Sequence, residues 1–217
     1  MPTAFMSSET ATKIGVLVGV QIIFYERLKE WRHMPQKPDP IELPEPRPTH
    51  WRVLGIDPGL RLTGYAVIEG EARRPRICEA GVIRTIGPGI TSELTGRLHT
   101  LFSGLLEVLD QYPPQVMAVE QLYSHYAHPR TAILMGHARG VILLAAAERG
   151  VPVVSYNATR IKKTVTGSGR ASKDQVQRTM QRELGLAKCP EPPDVADALA
   201  VALCHFYALR LPASEGA

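Results

Sequence analysis

Residues 51–69, WRVLGIDPGLRLTGYAVIE, decide how this chain folds. Two short runs of β-forming residues, Trp51 to Ile56 and Thr63 to Glu69, are split by the turn-rich joint DPGLR. A third such run, PRICEAGVIRTI at 75–86, follows the turn between Glu69 and Pro75. Strands joined this closely predict an antiparallel meander, because parallel neighbours need a long crossover.

Further along, the period changes. Leu94, Leu98, Leu101, Leu105 and Leu109 recur at helical spacing. QVMAVEQ at 115–121 reads as a strand, RTAILMGHARGVILLAAAERG at 130–150 as a helix, and VPVVSY at 151–156 as a strand. Two or three helices then complete the chain. A meander followed by alternating helix and strand predicts an α/β fold, with helices on the faces of a mixed sheet.

Upstream of Trp51 the composition differs. Six of the 18 prolines lie between Pro35 and Pro48. Proline fixes φ and removes a donor, so this stretch reads as an extended tether. The expected organisation is an N-terminal extension over 1–50, one domain over 51–210 and a short tail over 211–217. Met34, just ahead of the tether, is an alternative start. The longest apolar run, Ile14 to Tyr25, is broken by Gly15, Gly19 and Gln21. It is shorter than the ~20 residues that cross a bilayer. Charged ERLKEWRH follows where a signal peptide would be cleaved. A soluble, cytoplasmic protein with no membrane partner is expected. Cys78, Cys189 and Cys204 form no C-x-x-C pair, which favours reduced, buried thiols over disulfides or a zinc site.

The formal net charge is +4 over 217 residues. Residues 1–50 hold equal numbers of basic and acidic side chains, so the excess belongs to the remainder. Four carboxylates in that remainder stand apart from ordinary surface acids. Asp57 follows a hydrophobic strand directly, although Asp-Pro-Gly is also a common turn sequence. Glu120 closes a run that reads as a buried strand, where a carboxylate costs several kcal/mol unless paired or bound to a cation. Asp194 and Asp197, three apart in PPDVADALAVALCHFY at 192–207, share a helix face with Ala198, Val201 and Cys204. Asp194 reads either as a helix cap or as a member of the cluster; capping does not explain Asp197. If the four converge, their repulsion calls for divalent cations, and hard oxygen ligands suit magnesium or manganese.

LGIDPGLRLTGYAVIE, AVEQLY, MGHARGV, IKKTVTGSGRASKDQVQ and PPDVADALAVALCH occur in this order between about residues 52 and 207. Together they resemble the bacterial RuvC Holliday-junction resolvases. That resemblance implies an RNase H-like fold, a five-stranded mixed β-sheet flanked by α-helices, working as a homodimer. It implies Asp57, Glu120, Asp194 and Asp197 as catalytic, metal-binding carboxylates holding Mg2+, two per site, with Mn2+ able to substitute. The implied activity is that of an endodeoxyribonuclease resolving four-way DNA junctions by paired symmetric nicks that leave 5′-phosphates, during recombination and repair. RuvA and RuvB are the implied protein partners. GIDPG also resembles the phosphate loop of actin-like sugar kinases, but those need two such domains and a far longer chain.

Arg160, Lys162, Lys163, Arg170 and Lys173 crowd a stretch with no acidic residue, around Gly167, Ser168 and Gly169. Lys and Arg supply most phosphate contacts, so these five are candidate DNA-binding residues. Lys162 and Lys173 match family lysines implicated in DNA binding and catalysis. Ser172 and Gln175 fit a capping box that starts a helix. Tyr123 matches a family aromatic that stacks on bases at the junction centre. The helix bearing MGHARGV matches the family's dimer contact; its small residues equally suit packing within one subunit.

Overall fold

The computed structural model describes residues 50–59, 61–71, 75–87, 89, 93–122 and 129–209. The N-terminal extension apart from His50, the tail and Tyr123 lie outside the described residues. Strands β1 (His50–Asp57), β2 (Leu62–Glu71) and β3 (Arg76–Arg84) form the expected antiparallel meander. On the other side of β1, β4 (Val116–Glu120) and β5 (Val153–Tyr156) add in parallel. The result is a five-stranded mixed sheet in the order β3-β2-β1-β4-β5. The helices are α1 (Leu94–Gln111), α2 (Pro129–Glu148), α3 (Ala158–Thr166), α4 (Lys173–Glu183) and α5 (Pro193–Ala208).

Central strands covered on both faces read as continuous apolar runs, as VLGI and VMAV do here. Alternation then sorts each strand between two cores. Leu54, Ile56, Met117 and Val119 pack with Leu101 and Leu105 of α1 and with Ala138 and Ile142 of α2. Val53, Ala118 and Ala66 face the opposite way, against α3, α4 and above all α5. Helix α2 is long and apolar enough to cross a membrane by composition alone, yet its buried stripe forms part of the first core. Helix α4 opens with the expected capping box: Gln175 N–H donates to Ser172 Oγ at 3.2 Å, and Ser172 N–H to Gln175 Oε1 at 2.8 Å.

Helix α5 is buried from Val195 to Phe206 except at Asp197. It reaches the sheet through missing side chains. A methyl group on Gly55 of β1 would sit 2.5 Å from Ala202 N and 2.7 Å from Ala202 Cβ, and closer still to Ala198 O. One on Gly64 of β2 would press on the Asp194 carbonyl and lie 3.3 Å from Ala198 Cβ. Glycine on the strands and alanine on the helix therefore bring backbone against backbone.

Candidate active site

The strand register assembles the first half of the site. In the parallel pair β1–β4, Ile56 stands opposite Val119. Asp57 and Glu120 are the next residues on each strand, side by side at the carboxyl end of the sheet. Alternation turns both toward the face that α5 covers. The close approach at Gly55 and Gly64 supplies the second half, because it lowers the first turns of α5, bearing Asp194 and Asp197, onto the same sheet end.

Asp194 is not the helix cap. Pro192 holds the N-cap position without a side-chain hydrogen bond, Pro193 opens the helix, and Asp194 lies inside its first turn. The cap was a reasonable reading because proline and aspartate both favour helix starts; here two prolines take the boundary and push the aspartate inward.

Asp57, Glu120 and Asp197 line one open pocket of about 190 Å³, together with Lys162, Lys173 and the apolar side chains Ile161 and Val176. Asp194 stands beside this pocket, close enough for its charge to act on Asp57 and Asp197. The Lys173 ammonium lies 3.6 Å from Asp197 Oδ2. Burial, then the charges of Glu120, Asp197 and Asp194, push the Asp57 carboxyl up to about 8, with Lys173 opposing. Burial and then Asp197 raise Glu120, against Lys162 and Lys173. Burial raises Asp197 as well, with Lys173 pulling the other way. The signature is one of like charges gathered in a poorly solvated place.

The donor set is all carboxylate oxygen, which fits a hard divalent cation. Among the described residues, no three acidic, histidine or cysteine side chains stand at a spacing that could already hold a metal ion. Mutually repelling carboxylates, with a lysine beside Asp197, are expected to stand apart until a cation draws them together.

The basic stretch divides. Lys162 and Lys173 face the carboxylates. Arg160, two positions before Lys162 on α3, lies instead over the Tyr156 ring, 4.9 Å from its centroid. Lys163 and Arg170 are exposed and outside the pocket. MGHARGV divides too. Ala138 is buried in the core, whereas Gly136 and Gly140 are exposed, with no described residue within 4 Å of where a side chain would begin. Packing against the described residues therefore gives no reason for either glycine. Tyr156 and His205, buried and hydrogen-bonded across 2.7 Å, are a pair that sequence reading left out. Forty-nine residues separate them, and no spacing rule links a strand tyrosine to a helix histidine.

Comparison with known proteins identifies the family. The family described as "Crossover junction endodeoxyribonuclease RuvC" matches residues 53–205. A protein of that name from Rhodopirellula baltica is 53% identical over 165 residues, covering 75% of this chain and 90% of its own. Another from Hydrogenovibrio crunogenus is 47% identical over 162 residues, 74% of this chain and 90% of its own. Among solved structures, T. thermophilus RuvC in complex with Holliday junction substrate superposes with a TM-score of 0.68 at 34% identity. That match covers 74% of this chain and 95% of the other. The chain belongs to the crossover junction endodeoxyribonuclease RuvC family.

Proposed function

We propose that this chain is an endonuclease that resolves four-way DNA junctions by paired symmetric nicks, with Asp57, Glu120, Asp194 and Asp197 holding divalent cations. The observation that carries this reading is the convergence of Asp57, Glu120 and Asp197, facing two lysines, on one open pocket at the carboxyl end of the sheet. Its support includes family membership and the likeness to a relative solved with a Holliday junction. Mg2+ is the expected ion, with Mn2+ able to substitute. Such ions, when bound, would activate a water and stabilise the leaving oxygen of an in-line attack on a phosphodiester.

The chain's own residues have separable tasks. The carboxylates fix the reacting end of the sheet, and Asp197, half-buried on a rigid helix, faces Asp57 and Glu120. Lys173 partly neutralises the cluster before a cation arrives, and with Lys162 it then offers positive charge to the DNA backbone. Arg170 and Lys163, exposed beyond the pocket, extend that charge for phosphates further from the scissile bond. Tyr123 is proposed to stack on bases at the junction centre.

A homodimer is part of the same reading. Ile133 and Leu144 are 61% and 52% exposed, and with Gly136 and Gly140 they form an open apolar face along α2. Large exposed aliphatics and glycines at helical spacing suit close helix packing against a second copy. RuvA and RuvB are the proposed partners in the cytoplasm.

The test offers the full chain, with Mg2+, a mobile four-way DNA junction, a linear duplex and a structured RNA. Junction-selective nicking at symmetric positions is expected. Equal cleavage of the RNA, or of the duplex, would refute the reading.

A further inference from the structure

Helix α5 crosses the sheet obliquely, and three contacts describe its path. Its first turn sits on Gly64 of β2, its middle on Gly55 of β1, and His205 reaches Tyr156 of β5. Those strands span four of the five positions in the sheet. The middle contact is tight, backbone on backbone, through Ala198 and Ala202. From there Asp194 and His205 lie at similar distances in opposite directions along the helix. His205 thus holds the end of the helix opposite to the one that bears Asp194 and Asp197.

Tyr156 is joined to the site from its other side. It stands opposite Glu120 in the β4–β5 ladder, and its carbonyl accepts from Gln121 N–H at 2.8 Å. Its ring is held beneath the Arg160 guanidinium. The imidazole it meets is 5% exposed, and His205 Nε2 has no hydrogen-bond partner among the described residues. A leucine there, with phenylalanine at 156, would fill the space with no orphaned polar atom, so packing alone does not explain the pair.

We propose that Tyr156 and His205 are positioning residues. Their buried hydrogen bond pins the far end of α5 to the strand beside Glu120, and so sets where Asp194 and Asp197 stand relative to Asp57 and Glu120. The inference rests on the metal-binding reading above, and the controls separate the two.

The test uses the full chain and the double variant Tyr156→Phe with His205→Leu, which removes both polar partners and keeps apolar bulk. Replacing both together leaves no buried group unpaired, so the variant should fold with a melting temperature close to native. The readout is the rise in melting temperature as Mn2+ is added, with junction binding in EDTA measured alongside. Binding in EDTA should be unchanged, while the Mn2+ needed for half the thermal rise should increase about tenfold, as for loss of an outer-shell contact. His205→Gln, whose side-chain amide can still bond the Tyr156 hydroxyl, should recover most of that loss. A native Mn2+ response in the double variant, or no recovery in His205→Gln, overturns the proposal. If the double variant does not fold, Tyr156→Phe alone decides by the same titration. Asp57→Asn separates the levels. If it keeps the native Mn2+ response, the metal-site reading fails; if it loses that response while the double variant keeps it, only the positioning role fails.

Discussion

Gly55→Ala is the most informative single change, because one methyl group tests both the packing and its consequence for the site. The added carbon would lie 2.5 Å from Ala202 N and 2.7 Å from Ala202 Cβ. Carbon contacts settle at 3.5–4.0 Å, so α5 must retreat by roughly 1 Å. Overfilling of this kind costs about 1–3 kcal/mol. Alanine returns roughly 0.5–1 kcal/mol through its smaller loss of backbone freedom. The net effect expected in urea denaturation is a loss of about 1–2 kcal/mol, leaving the protein folded. Activity should suffer more. A displacement of about 1 Å in a catalytic group can lower a rate by about 100-fold, and the helix that retreats carries Asp194 and Asp197. Nicking of a four-way junction at fixed Mg2+ should fall by that order while junction binding in EDTA stays near native. A Gly55→Ala protein as stable and as active as native would refute the close packing of α5 as the device that places these aspartates.

Other expectations follow from the charges and the open helix face. In EDTA at pH 7, Asp57→Asn should be more stable than native by roughly 1–4 kcal/mol in urea denaturation. The sign follows from the raised carboxyl: the unfolded chain ionises near the ordinary 3.8 but the folded one only near 8, so folding is disfavoured above the lower value. A destabilised variant would mean that Asp57 is structural. His205 shifts the other way: burial, then the Arg160 charge, lower it to about 4, and Tyr156 and Cys204 beside it both have raised pKa values. The His205 contribution to stability should therefore fall as pH drops from 6.5 to 4, by up to about 3 kcal/mol and opposite in sign to the Asp57 contribution, so native protein should lose stability relative to the Tyr156→Phe, His205→Leu protein over that range. Equal acid profiles for the two proteins would contradict a buried neutral imidazole. Ile133→Asp with Leu144→Asp should leave a folded monomer by light scattering; an unchanged dimer would place the interface elsewhere.

Much of the architecture was legible because it rests on local signals. Short runs of β-forming residues separated by turns announce β1 to β3, and the leucines of α1 announce their own helix. Asp57 and Glu120 could be found because each terminates an apolar strand, where a carboxylate is expensive. Helix α5 is buried almost all round, so Val201 and Cys204 do not single out one side; Asp197 is notable instead as the one partly exposed residue in a buried run. Three facts were not legible. The two glycines that seat α5 lie on different strands and gain meaning only when the helix crosses both. The division of the basic stretch depends on the turn of α3, which aims Lys162 into the pocket and Arg160 onto Tyr156. The exposure of Gly136 and Gly140 depends on which stripe of α2 meets α1 and the sheet, and an almost uniformly apolar helix does not announce its buried side.

The most direct measurement compares native and Asp57→Asn protein on a mobile four-way DNA junction with Mg2+, mapping the nicks on all four strands. Native protein should produce paired nicks at symmetric positions with 5′-phosphate ends, and Asp57→Asn should bind the junction without cutting it. Undiminished cutting by Asp57→Asn would contradict the assignment of the carboxylate pocket as the active site.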